Sequence, residues 1–256
     1  MKKLLLFVVM ACAVVPSMVF SQEKSEVDVK KIVKELDKLY KANSSKGKME
    51  MEIITPHWER TLVMKLWSQG MEKSLVKVLS PKKERGVGTL KLGNEMWNYL
   101  PKTNKVIKIP PSMMMSSWMG SDFTNDDLVR EYTFAGDYTF GLITPPDAKD
   151  EYHYLECVPK EGLPIIWAKI VVAVEKESLL PVWQKYYDEK GEVVRIMYFK
   201  NPQTFDDRTV PSVMELVPQN EEGHKTIVRY LEMEFNVSLD DDIFSLRKLR
   251  APVRGD

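Results

Sequence analysis

The stretch Lys48–Ile53, KMEMEI, alternates strictly between polar and apolar side chains. Met49, Met51 and Ile53 fall on one face and Glu50 and Glu52 on the other, the period-two pattern of a strand with one buried side. Downstream the pattern continues. Arg60–Leu66 places Leu62, Met64 and Leu66 on one side, and SLVKVL (74–79), GTLKL (88–92), EMWNYL (95–100) and KVIKI (105–109) follow. Turn residues separate them at Gln69-Gly70, at Gly93-Asn94 and over 101–104. Short strands punctuated this way predict an antiparallel meander.

Strands resume at 132–140, 152–158, 165–174, 182–187, 193–200, 211–218 and 226–237. DEKG (188–191) between two of them reads as a tight hairpin turn, with Gly191 where positive φ is needed. Upstream, Ser25–Tyr40 reads as a helix: Val29, Ile32, Val33, Leu36, Leu39 and Tyr40 recur at three and four and share a face. Ser25 to Asp28 has the form of a capping box, and NSSKG (43–47) ends the helix. Asp240 to Ser245 predicts a last helical turn, its acids favoured by the helix dipole.

An antiparallel sheet of about ten strands has exposed edges and must close, split or curl. With one strong amphipathic helix available, a curled sheet with that helix in its concavity fits; a closed lipocalin-like barrel also fits the strand count. There is no low-complexity linker and no internal repeat, so residues 22–256 read as one domain.

Residues 1–21 read as a cleaved secretory signal peptide: Lys2 and Lys3, an apolar run over Leu4–Val15, then Val19-Phe20-Ser21 before the cut. Cys12, after the small Ala11, is a loose match to a lipid-attachment site. Cleavage there would leave AVVPSMVF at the new N-terminus, an apolar segment with no role. The whole chain carries 37 basic and 37 acidic residues, so composition points neither to nucleic acid nor to a charged membrane surface. Cys157 is the single cysteine beyond the leader, which leaves the fold to its core rather than to an internal disulfide.

The sequence carries no H-E-x-x-H, no P-loop, no G-x-G-x-x-G and no G-x-S-x-G. None of His57, His153 and His224 has a partner at metal-ligand spacing, and Asp122, Asp126 and Asp127, a candidate calcium cluster, do not have the spacing of an EF-hand. Arg85–Gly88 reads as a turn, and Asp122, Asp126 and Asp127 read as helix-capping and solvated acids. No catalytic residue, metal or cofactor is expected.

The apolar signal is richer. PPSMMMSSWMGSDFTNDDL (110–128) puts Met113, Met114, Met115, Trp118 and Met119 in one connection. Methionine is flexible and polarizable and adapts to variable shapes. Two readings stand: the segment folds back to plug the sheet, or it is a movable lid over an apolar cavity. Each methylene of a bound acyl chain buries about 0.8 kcal/mol, so a long chain offsets several kcal/mol of lid opening.

MWNYLPKTNKVIKI (96–109) with WMGSDFTNDDL (118–128), and LLPVWQKYYDEKGEVVRIMYF (179–199), TVPSVMEL (209–216) and FNVSLDDDIFSLRKL (235–249), resemble the outer-membrane lipoprotein-sorting proteins of the LolA-like superfamily. The resemblance implies a mainly β, α+β fold: a curved antiparallel half-barrel with helices and a loop across its concave face. It argues against a closed barrel. It implies a non-enzymatic periplasmic carrier for the acyl chains of lipoproteins or related lipids, with an inner-membrane release complex and an outer-membrane acceptor as partners. Relatives of the same architecture act as sensors or interaction modules, the alternative function. An arginine on the sheet latches the closing helices of such carriers, and Arg60 is the candidate for that role here. The expected cavity lining is Met49, Met51, Ile53, Leu62, Met64 and Leu66, the apolar side of the first helix, and the lid residues Met113, Met114, Met115, Trp118 and Met119.

Overall fold

The computed structural model describes residues 27–39, 42–129 and 133–253. The leader over 1–21, Cys12, Ser25 and Tyr40 lie outside the described residues. Thirteen strands are present among the described residues: β1 (Ser44–Ile54), β2 (Glu59–Gln69), β3 (Lys73–Ser80), β4 (Gly88–Leu92), β5 (Glu95–Leu100), β6 (Lys105–Lys108), β7 (Tyr138–Ile143), β8 (Tyr152–Pro159), β9 (Lys169–Glu175), β10 (Pro181–Tyr187), β11 (Val193–Phe205), β12 (Arg208–Pro218) and β13 (Lys225–Phe235). The helices are α1 (Val29–Lys38), α2 (Asn125–Val129), α3 (Phe134–Asp137) and α4 (Leu246–Arg250). Short 3-10 turns occur at Pro111–Met113 and Asp241–Ile243.

All thirteen strands join one sheet in the order β6-β5-β4-β3-β2-β1-β13-β12-β11-β10-β9-β8-β7. Two antiparallel meanders, β1 to β6 and β7 to β13, meet where β1 pairs with β13. β6 and β7 stand at opposite ends of the order, so the sheet is curved and unclosed. The closed barrel is therefore excluded. The order has a further consequence: the connection from β6 to β7 runs from one edge of the sheet to the other, across its face.

The alternation read at Lys48–Ile53 is in register with its neighbours. Met49 pairs with Met64 and Met51 with Leu62, so the apolar sets of β1 and β2 share one face. Several expectations are corrected. Ser44–Gly47 begins β1 instead of ending the helix, because Ser45 and Gly47 pair with Ser68 and Leu66 of β2. Gly47 lies so close to β13 that a Cβ there would overlap the Glu232 carbonyl oxygen and the Met233 sulfur. The start of α1 is set by Asp28, whose Oδ1 accepts from Lys31 N at 3.0 Å. Tyr132 lies outside the described residues; over 133–140 the chain forms a helical turn, α3, followed by β7, in place of the continuous strand predicted. Thr133 caps α3 by accepting from Gly136 N, which outcompetes the strand pattern locally.

The sheet is covered on both faces. On one, Ile32, Val33 and Leu36 of α1 pack on Leu155, Cys157, Ile170, Val172 and Val174 of β8 and β9. On the other, Phe244 and Leu249 pack on Leu75, Leu90 and Tyr99. Lys77 is buried beneath α4, donating from Nζ to the carbonyls of Lys248, at 3.3 Å, and Ala251. Burial pushes its amine down to about 8.

Candidate cavity beneath the connecting segment

The segment from Ile109 to Asp137 is held at three places. The first is Trp118. A one-pair bridge, Ser117 to Thr124, closes a small loop whose tip turns at Met119 (φ 51°) and Gly120 (φ 75°). This drives the Trp118 ring among Met49, Met51, Ile53, Leu62, Met64, Val76, Val78 and Val228, where it is 3% exposed. Its indole N–H donates to Thr89 Oγ1 at 3.0 Å, and Thr89 Oγ1 donates to Asn98 Oδ1 at 2.7 Å. A buried tryptophan removes some 200 Å² from water, about 5 kcal/mol. About six acyl methylenes would be needed merely to offset its exposure.

Arg60 and Arg195 make the second hold. Arg60 of β2 donates to the Met119 carbonyl, stacks on Trp58 at 5.4 Å and lies 3.6 Å from Glu84. Arg195 of β11 makes a bidentate pair with Asp127 of α2, Nη1 to Oδ2 at 2.9 Å and Nη2 to Oδ1 at 2.7 Å. Its guanidinium lies between the rings of Trp167, at 4.3 Å, and Tyr186, at 4.4 Å. Burial alone would raise the Asp127 carboxyl. The Arg195 hydrogen bonds and charge, joined by the Thr124 N–H and hydroxyl, overcome that and hold it below the usual carboxylate range. The third hold is α1, whose Asp37 carboxylate accepts from Phe134 N at 2.9 Å and Ala135 N at 3.0 Å, capping α3.

Between the Trp118 plug and α1 a cavity of about 450 Å³ remains over β9 to β12. Leu36, Leu39, Phe134, Ile165, Ile166, Trp167, Met197, Phe199 and Met214 supply apolar wall, and Arg195, Asp127 and Tyr186 a polar one. Ile166 and Met115 are each 50% exposed. The size falls within the range of small-ligand pockets.

The expected lining divides under this geometry. Met49, Met51, Ile53, Leu62 and Met64 are on the covered face but lie under the plug, and Leu66 is half-buried beside them. Met119 packs on the same cluster, and Met114 packs against Met96, Ile109 and Val129. Met113 is exposed. Of the eleven side chains expected, Met115 lines the cavity, together with Leu36 of the first helix and Leu39 at its C-cap. Trp118 and Met119 pack into the sheet, while the space lies toward α1.

Sequence reasoning missed Arg195, Trp167 and Tyr186 as a group. The signal was present: Val193, Arg195, Met197 and Phe199 share a strand face, so a charge sits on an apolar row. Cys157 is fully buried, and burial pushes its thiol up to about 12, which disfavours the thiolate at neutral pH. Among the described residues, no helix is long and apolar enough to cross a membrane.

A family model described as "uncharacterized protein" matches residues 70–251. No curated protein matches the sequence. Among solved structures, a DUF1329 family protein from Desulfovibrio piger is similar with 24% identity, 86% of this chain and 96% of that chain covered, and a TM-score of 0.75. An outer membrane lipoprotein-sorting protein domain from Vibrio parahaemolyticus is similar with 22% identity, coverage of 82% and 92%, and a TM-score of 0.69. A LolA superfamily protein from Nitrosomonas europaea is similar with 21% identity, coverage of 87% and 100%, and a TM-score of 0.70.

Proposed function

We propose that this chain, which belongs to the uncharacterized-protein family matched over residues 70–251 and has a LolA-like fold, is a periplasmic carrier that shelters acyl chains in the cavity between α1 and the connecting segment. The observation that carries the reading is the cavity itself: space of about 450 Å³, apolar along most of its wall, open beside Met115 and Ile166. An acyl chain is recognised by apolar area and not by directed polar contacts, and flexible Met197 and Met214 suit chains of variable shape. The signal peptide, read over residues 1–21, would deliver the mature domain, residues 22–256, to that compartment. The cargo is an acylated lipoprotein or a related lipid, taken from an inner-membrane release complex and handed to an outer-membrane acceptor. The protein acts by binding, not by catalysis.

Leu36 of α1, Leu39 at its C-cap and Met115 of the connection all line the cavity. Cargo would enter by parting α1 from the connection, which opens the Asp37 contact to Phe134 and Ala135 and leaves Trp118 in place. The exposed side chains of Met115 and Ile166 would meet the donor or acceptor surface first. The same rim also favours the second reading, a sensor or interaction module that holds a membrane partner.

Native mass spectrometry of mature protein purified without detergent tests the proposal. A bound acylated species released on denaturation is expected, and its mass identifies lipoprotein or phospholipid. A mass that stays bare after incubation with lipopeptide and phospholipid would overturn the carrier reading. A stable complex with a membrane protein, formed by that bare chain, would put the sensor in its place.

A further inference from the structure

A further cavity, of about 430 Å³, lies where the connecting segment meets the β1–β2 and β12–β13 turns, and shares Met115 and Thr124 with the first. Asp122, Glu221 and His224 converge on it. The β12–β13 turn is closed by a hydrogen bond from His224 N to the Glu221 carbonyl at 3.2 Å, with Gly223 supplying a φ of 76°. That geometry brings His224 Nδ1 to 3.1 Å from Glu221 Oε2. From the opposite side, Asp122 Oδ1 reaches 3.9 Å from the same Nδ1. One donor atom from each residue lies within 4.8 Å of the others. Donors bonded to one metal at about 2.0–2.2 Å stand at this kind of mutual separation.

The carboxylate of Asp122 is built into place. Its side chain is 10% exposed. Thr226 Oγ1 donates to its Oδ2 at 2.6 Å and accepts from its backbone N–H at 3.0 Å, so Oδ1 is the oxygen turned to His224. This is the outer-shell arrangement that orients metal-binding carboxylates. Burial is the main reason its carboxyl lies above the usual range; Thr226 and His224 pull it down, and Glu221 pushes it up. A largely buried carboxylate beside a second acid and an imidazole gains more from a shared cation than a fully exposed acid does.

We propose that Asp122, Glu221 and His224 bind one divalent ion of the zinc class and that this ion ties the connecting segment to the β12–β13 turn. One imidazole and two carboxylates suit a borderline ion that accepts nitrogen and oxygen. Calcium asks for six to eight oxygens, more than these residues present. Three protein ligands leave a position open toward the cavity that His57 also lines. The cluster was outside the reach of the sequence expectation of no metal, because Asp122 joins the other two only through the fold. The proposal goes beyond the carrier reading and does not depend on it.

Calorimetric titration of metal-stripped protein with zinc chloride tests it, with cobalt(II) absorption as the probe of coordination. One equivalent is expected, weakened about tenfold or more by His224→Ala and by Glu221→Ala and unchanged by His153→Ala on β8. Zinc should also slow amide exchange over residues 117–124 in the parent and not in His224→Ala. No saturable uptake, or uptake equally strong in both variants, overturns the site. Uptake with unaltered exchange at 117–124 overturns the tie.

Discussion

Arg195 on the sheet and Asp127 on the connecting segment form a two-pronged ion pair, at 2.7 and 2.9 Å, between residues 68 apart in sequence. Removing one member of such a pair leaves the other charge poorly solvated. Arg195→Met is expected to lower unfolding free energy by about 3 kcal/mol, measured by urea denaturation. Arg195→Lys should recover only part, because an ammonium replaces neither the fork nor the stacking on Trp167 and Tyr186. The pH dependence has a defined sign. Asp127 is held below its ordinary value, so the unfolded chain binds the proton more readily. The pair's contribution is full above about pH 4 and is lost as pH falls through the folded value. A parent and an Arg195→Met variant with equal stability at pH 7 would show that the pair does not hold the segment.

Trp118 and Met115 lie three residues apart yet predict opposite phenotypes. Trp118→Ala empties a core site and should cost about 3–5 kcal/mol, with lipid binding lost in proportion. Met115→Asp, at an exposed cavity wall, should leave stability within about 0.5 kcal/mol and weaken acyl-chain binding. Thermal unfolding and a fluorescent fatty-acid displacement assay separate the two. Equal loss of both properties in Met115→Asp would place that residue in the core instead of at the mouth.

Lys77 gives a second pH signature. Its amine is at about 8 in the fold against an ordinary 10.5, so between those values the unfolded chain carries a proton that the folded chain has lost. Stability of the parent relative to Lys77→Met should therefore rise as pH goes from about 8 to about 10.5 and be flat below 8. Denaturation curves of both proteins across that range measure it. A parallel pair of curves would show that the amine titrates in solvent.

Cys157 should resist a thiol reagent in the folded protein. Its reaction is expected to follow the rate of opening of β8 beneath α1 and to reach that of a free thiol in urea. Prompt labelling at neutral pH would mean that α1 does not cover it.

Alternation and turn residues made the meanders legible: β4 and β5 stand at Gly88–Leu92 and Glu95–Leu100, the bounds read from pattern alone. Where local capping competed with alternation, at Thr133, pattern failed. That Met49, Met51, Ile53, Leu62 and Met64 share a face was legible from alternation; which face of the sheet the connection crosses was not, and Trp118 packing among them is what identifies it. What periodicity could not reveal was where that face is filled and where it is empty. That depends on Trp118 finding Thr89 and Arg195 finding Asp127, pairings set by how a strand far along the chain lies beneath the connection. The arginine expected to reach the connection, Arg60, does so at Met119; the buried, bidentate contact belongs to Arg195.

The connection between β6 and β7 spans the sheet as a string spans a bow. Both of its ends are fastened to edge strands, so it cannot swing aside like a flap with one free end. Widening the space beneath it requires either slack in the string or a change in the bend of the bow. Occupancy of the cavity and curvature of the sheet are then two faces of one mechanical variable. Anything that shortens or fastens the string, at Trp118, at Asp127 or at Asp122, sets how far thirteen strands can flatten.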